Sequence, residues 1–221
     1  GEYTVACAVA EPETLFVGID VDPICVMRSA EAACEAGVEN VVFAHDEDPD
    51  VLELFGEGEL TSILINFPTP FPKKKRAPRR LTYLDRLMKY RRVLEEGGTV
   101  RMRTDSTPFR DFSLTQLELA GYELQWETDD VRAMFPDEPW SGYEHKLVAK
   151  GAPVVGFCAV PGPAPEHVEQ TAPLSLVSYL PEDLENLDYV PFGMQGSIDN
   201  IVGYNANRRK KGLPDWRPPV V

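Results

Sequence analysis

A chain of 221 residues with 22 Lys and Arg against 36 Asp and Glu carries a formal charge of −14, and its length admits one ordinary domain of about 150 residues plus an appendage. With 43% apolar residues and 10% aromatics it can bury a core, which excludes disorder of the whole chain. No apolar run approaches the roughly 18 residues of a membrane span, no basic-then-apolar leader opens the chain, and neither the four cysteines (Cys7, Cys25, Cys34, Cys158) nor the three histidines have metal-ligand spacing. A cytoplasmic protein with no metal and small, reduced, core cysteines is expected.

Taken in order, Leu15 to Val21 is an apolar run read as a strand, and Asp22-Pro23 is an N-cap with a first-turn proline. The helix they start has Ile24, Met27, Ala30 and Cys34 at helical spacings and stops at Gly37. Asn40 to Ala44 reads as a buried strand, Asp50 to Phe55 as a short helix, and Thr61 to Phe67 as another continuous apolar strand. A helix is expected from Thr82 through Leu94, closed by Gly97-Gly98, followed by a strand from Thr99 to Thr104. Phe109 to Ala120 has a helical pattern, Tyr122 to Glu127 is strand-like, and Tyr143 to Ala149 is taken as the final strand. Continuous rather than alternating strands imply a sheet covered on both faces. Strands alternating with helices imply an α/β fold with a doubly wound, mostly parallel sheet. Ligands of such sheets bind at the carboxyl ends of the strands, where Asp20, His45 to Asp48, Asn66 to Lys73 and Asp105 gather.

Charge is concentrated. The window Phe71 to Arg103 holds twelve Lys and Arg against three acids, a local charge of +9 that leaves −23 for the remainder. Such a window on an acidic protein points to a polyanionic partner, against the plainer reading of a solvated basic face. From Pro161 the character changes: nine of the twenty prolines fall in the last 61 residues. This divides the chain into a core of residues 1–160 and a Pro-rich extension of residues 161–221, partly linker, with a basic tail.

The stretch NFPTPFPKKKRAPRRLT, then VLEEGGTVRMRTD, then SGYEHK resembles the bacterial tRNA (guanine-N7)-methyltransferases, whose pattern runs N-F-x-D-P-W-P-K-x-R-x-x-x-R-R-L-T, a strand ending in T-D, and T-E-Y-E-x-K. FVGIDV and ENVVFAHDED match that family's second and third strands, and the resemblance extends from Gly1 to about Pro153. It implies a Rossmann-like methyltransferase that uses S-adenosylmethionine and binds tRNA. It also implies a first strand and glycine-rich loop upstream, with Gly1 at that loop's last glycine. This sequence departs from the pattern at Thr69 for the Asp, Phe71 for the Trp, Glu47 for an Asp, and Ser141-Gly142 for T-E.

Two activities fit this pattern. One is methyl transfer to N7 of a guanine in tRNA, and the other is RNA binding by a relative with weakened turnover. On the resemblance, Gly1, Asp20, Glu47 and Thr69 face the cofactor. Asp20 would accept from the ribose hydroxyls, against the alternative of a strand-end acid shared with the Asp22 cap. Glu47 would lie near the adenine amino group, against a solvated acidic turn. Thr69 and Asp105 are the catalytic candidates. Lys73, Asp105, Ser141, Tyr143 and Glu144 would bind the substrate base, with helix capping the alternative for Asp105 and a core position that for Tyr143. Lys74, Lys75, Arg76, Arg79 and Arg80 would anchor the tRNA backbone. Monomer and homodimer both remain open.

Overall fold

The computed structural model describes residues 1–217. The chain forms two compact units, residues 1–50 with 135–149, and residues 51–134 with the segment from 150 onward. This division does not follow the expected boundary at residue 160.

The first unit contains α1 (Glu2–Ala10), β1 (Phe16–Asp20), α2 (Pro23–Ala36) and β2 (Val41–His45). Asp22 caps α2 by accepting from the Ile24 N–H at 2.9 Å, Pro23 occupies the first turn, and Gly37 ends the helix at φ +65°, a conformation that costs glycine little. β1 and β2 pair in parallel from Phe16 opposite Val41 to Asp20 opposite His45. Gly18 lets the Phe43 ring lie across β1, since a Cβ there would come within 2.5 Å of it. The Asn40 amide donates to the carbonyls of Ala8, Glu11 and Thr14, tying the end of α1 to the start of β2. Val17 and Val42 remain exposed, so this sheet does not have the two covered faces its apolar runs suggested.

The second unit holds α3 (Val51–Leu54), β3 (Leu60–Asn66), a 3-10 turn (Lys74–Arg79), α4 (Leu84–Val93), β4 (Leu94–Thr104), α5 (Thr107–Leu119), β5 (Tyr122–Thr128) and α6 (Val131–Met134). The first unit then takes α7 (Gly142–Val148), and the second resumes with β6 (Val155–Pro161), a 3-10 turn (Leu176–Tyr179) and α8 (Gln195–Lys210). Its sheet has the order β3-β4-β6-β5, with β3 parallel to β4 and β6 antiparallel to both neighbours.

Two expectations are corrected here. Gly97 and Gly98 do not close α4, because β4 begins directly at Leu94. Gly97 adopts φ +78° inside the strand and a Cβ on Gly98 would sit 3.2 Å from the Leu60 carbonyl, where the pairing with β3 shifts register, the behaviour of bulge glycines. Tyr143 to Ala149 is not a strand but most of α7. Ser141 caps that helix through the Glu144 N–H at 3.1 Å, so S-G-Y-E reads as the Ser-x-x-Glu start of a helix. The final strand is instead the apolar run of β6.

Phe109, Phe112, Met102, Val100 and Phe157 are fully buried in the second unit's core, and Leu176, Met194 and Ile198 of the extension join them. The extension is therefore packed structure over much of its length rather than linker. The cysteines also differ from expectation: Cys7 and Cys158 are buried, but Cys25 and Cys34 are exposed. Among the described residues no helix is long and apolar enough to cross a membrane.

Candidate functional site

In the first unit the acids stand where parallel strands end. Asp20 closes β1, opposite His45 at the end of β2. One Asp20 carboxylate oxygen accepts from the Asp22 N–H at 2.9 Å, and the side chain remains exposed. An exposed carboxylate at a strand terminus suits paired hydroxyl donors such as those of a ribose. The His45 ring meets the Val21 carbonyl at 3.1 Å, and Glu47 lies exposed just beyond. Gly1 starts α1, its carbonyl accepting from the Val5 N–H, and a Cβ on it would overlap Ser29 Oγ.

The four residues of S-G-Y-E occupy one helical turn. The Ser141 hydroxyl is spent on the cap, Tyr143 is exposed, and Glu144 is buried. Burial of Glu144 runs against a direct reach to the substrate base, because a carboxylate is held from solvent only when partners inside the protein satisfy it. Gly142, where the family pattern has an acid, donates its N–H to the Glu2 carboxylate, and a Cβ there would press on that same group. A carboxylate from α1, 140 residues away in sequence, thus stands at this helix end, a contact with no local sequence signal.

In the second unit the loop after β3 has an unusual backbone. Phe67 and Phe71 adopt φ +48° and +43°, left-handed conformations that cost an L-residue of order 1 kcal/mol or more. Arg80 holds them. Its Nε donates to the Pro70 carbonyl at 3.0 Å and its Nη2 to the carbonyls of Phe71 at 2.8 Å and Pro72 at 3.4 Å. The guanidinium carbon lies 4.2 Å from the centre of the Phe112 ring, and Arg80 is 0% exposed. Arg80 is therefore not a tRNA backbone anchor. It is the internal clasp of the loop, and a buried guanidinium has no face left for a phosphate. Burial brings it down to about 10, still far enough above neutrality to remain charged.

Lys73, Lys74, Lys75, Arg76 and Arg79 are exposed, with Arg79 stacked 5.0 Å over the Phe71 ring. The +9 window is consequently not one surface. Arg103 is buried, Arg91 donates to the carbonyls of Ala120, Gly121 and Gly162, and Arg101 lies over Trp126.

Asp105 follows β4, which pairs with β3 up to Asn66 opposite Arg103, so Asp105 and the Thr69 loop leave adjacent strand ends. Thr69 is exposed; Asp105 is 8% exposed. The cap position of α5 is Ser106, and no side chain makes the capping bond. Asp105 instead accepts from the phenolic hydroxyl of Tyr189 at 2.5 Å. The Ser106 hydroxyl, 1% exposed, has no hydrogen-bond partner among the described residues. Sequence reasoning missed Tyr189 and the clasp role of Arg80. The run R-R gives no hint of which arginine turns inward, and Tyr189 lies 84 residues from its partner. Among the described residues no group of three or more His, Cys, Asp or Glu could hold a metal ion.

Residues 1–156 match a family model described as "Putative methyltransferase". Relatives named tRNA (guanine-N(7)-)-methyltransferase include one from Geobacillus kaustophilus, 33% identical over 152 residues, covering 68% of this chain and 70% of that protein. Another, from Halalkalibacterium halodurans, is 34% identical and covers 68% and 69%. Among solved structures, an antibiotic-related methyltransferase superposes with a TM-score of 0.53 at 17% identity over 72% of this chain and 81% of that one. TrmN from Thermus thermophilus gives 0.50 at 19% identity over 72% and 40%; these two resemblances bear on the fold.

Proposed function

We propose, from the premise that the chain belongs to the bacterial tRNA (guanine-N7)-methyltransferase family, that it transfers the methyl group of S-adenosylmethionine to N7 of a guanine in tRNA. The observation that supports this most directly is the exposed row Lys73 to Arg76 with Arg79, held by the buried Arg80 at the strand end beside Asp105. A fixed cationic edge next to an acidic acceptor suits a polyanion that presents one base.

Guanine N7 has an exposed lone pair and no proton, so the transfer needs no general base. S-adenosylmethionine supplies an electrophilic methyl group on a sulfonium. The protein's work is orientation in a dry site, where effective-molarity gains of about 7–11 kcal/mol are available, and stabilisation of positive charge as it moves to the purine. Asp20 would accept from the ribose hydroxyls, and Glu47 would hold the adenine amino group. Asp105 accepts from the adjacent N1–H and amino donors of guanine, Lys73 contacts phosphate or the base, and Tyr143 offers a stacking face. Lys74, Lys75, Arg76 and Arg79 hold the tRNA backbone, which contributes affinity rather than sequence information. A tRNA substrate supports a cytoplasmic protein.

The test is mass spectrometry of nucleosides from unmodified tRNA incubated with the protein and S-adenosylmethionine. 7-Methylguanosine is expected, falling about 100-fold in Asp105→Asn and rising about tenfold or more in Thr69→Asp, which restores a negative charge where the family has one. Bound tRNA with no 7-methylguanosine would make the protein a binder and overturn this reading.

A further inference from the structure

The matched family region ends at residue 156, yet the segment beyond it touches the candidate site at three points. Tyr189 donates to Asp105, the Leu176 N–H donates to the Pro72 carbonyl at 3.1 Å, and a Cβ on Gly193 would lie 3.6 Å from the Pro72 ring. Pro72 is itself among the carbonyls that Arg80 holds. Between these anchors stands Phe192, 70% exposed and the most exposed large apolar residue among those described. Its neighbours Pro191 and Met194 are buried. It is next to Gly193, which meets Pro72, and three positions from Tyr189, so its backbone lies within about 11 Å of the Tyr189 Cα by chain reach alone.

We propose that residues 188–194 complete the guanine site. In this arrangement Tyr189 is a positioning residue that fixes the Asp105 carboxylate, and Phe192 is a stacking platform for the target base or its neighbour. The proposal rests on the methyltransferase reading above. A carboxylate has about four lone-pair directions, so one hydroxyl from Tyr189 leaves room for the two parallel donors of guanine while removing the carboxylate's rotational freedom. A large aromatic ring left exposed between buried Pro191 and exposed Gly193 adds little to packing, whereas an exposed aromatic face stacks a base of any identity. The same segment inserts Leu176, Met194 and Ile198 into the core, which gives both side chains a rigid mount.

The experiment compares the full chain with Tyr189→Phe, Phe192→Ala and Phe192→Trp, reading tRNA binding by filter retention and single-turnover formation of 7-methylguanosine. Phe192→Ala should weaken tRNA binding about tenfold, as for the loss of one stacked base, with an unchanged melting temperature, and Phe192→Trp should restore it. Tyr189→Phe should slow the single-turnover step about tenfold while tRNA affinity stays within twofold. Introduced into Asp105→Asn, Tyr189→Phe should have no further effect, a non-additivity that general loosening of the fold would not produce. Unchanged binding by Phe192→Ala, additive losses in the double variant, or faster turnover in Tyr189→Phe, which would mark Tyr189 as a competitor for Asp105, would each overturn the proposal. If the unaltered protein binds tRNA but forms no 7-methylguanosine, the activity reading fails separately, and the Phe192 binding series still decides this one.

Discussion

β1 and β2 are five residues long and leave Val17 and Val42 exposed, whereas the central strands β4 and β6 bury Val100, Met102, Phe157 and Ala159 completely. The first region reads in sequence as continuous apolar strands, whereas Thr99 to Thr104 in β4 alternates with Arg101 and Arg103 and β6 lies outside the expected strands. The difference lies in what lies against them. In the second unit α5, α4 and the extension supply Phe112, Leu87, Leu176 and Met194 to one core, while in the first unit the buried apolar set is small, Tyr3, Val5, Cys7, Ala8, Ala33 and Leu147. An apolar run therefore states a demand for cover, and segments far away decide whether it is met.

Truncating the better-packed region should have the largest effect. Phe157→Ala, in β6, removes a side chain with 0% exposure and should destabilise by about 3–5 kcal/mol, read by urea unfolding. Next comes Arg80→Met, which keeps volume but leaves the Pro70 and Phe71 carbonyls without this donor, while Pro72 keeps the Leu176 N–H. A loss of about 3 kcal/mol is expected, against less than about 0.5 kcal/mol for Arg79→Met on the surface. Equal losses for the two arginines would remove the distinction between clasp and anchor.

A smaller effect of order 2 kcal/mol is expected in alkali. Burial pushes the Tyr90 phenol up to about 12, with nearby Arg86 opposing, and burial raises Tyr122 as well. The unfolded chain loses these protons near pH 10 while the folded chain keeps them. Stability is accordingly full below about pH 10 and falls as pH rises through 12, and Tyr90→Phe should flatten that fall in denaturation curves. The smallest change, within about 0.5 kcal/mol, should follow Val42→Thr in the first unit, where the side chain is already 52% exposed. A large loss there would show that β2 is covered by something in solution.

The local signals served well where one short stretch decides the outcome. Asp22-Pro23 with Gly37 bounded α2, and the strand ends carrying Asp20 and Asp105 were legible, as was the family itself. Longer-range facts were not. Ser141 capping turned an expected strand into α7, because a helix start and a short apolar run share composition. Glycines that resemble a helix stop at 97 and 98 serve a bulge, a choice made by the partner strand. Arg80 and Arg79 are neighbours with the same chemistry, and the Pro70 to Pro72 carbonyls together with Phe112, 32 residues on, enclose the first of them. Tyr189 meeting Asp105 depends on the path of the whole extension.

The clasped loop also bears on how quickly an RNA is captured. Phe67 and Phe71 are already in their costly left-handed conformations, and Arg80 already spans Pro70 to Pro72. The lysines therefore project from a surface that need not fold during the encounter. Such a surface has no ordering step to slow association, so its on-rate should be set by electrostatic steering and fall steeply with ionic strength. Discrimination between correct and incorrect RNAs is then left to dissociation. A tRNA without a suitably presented guanine would arrive as fast as the right one and leave sooner.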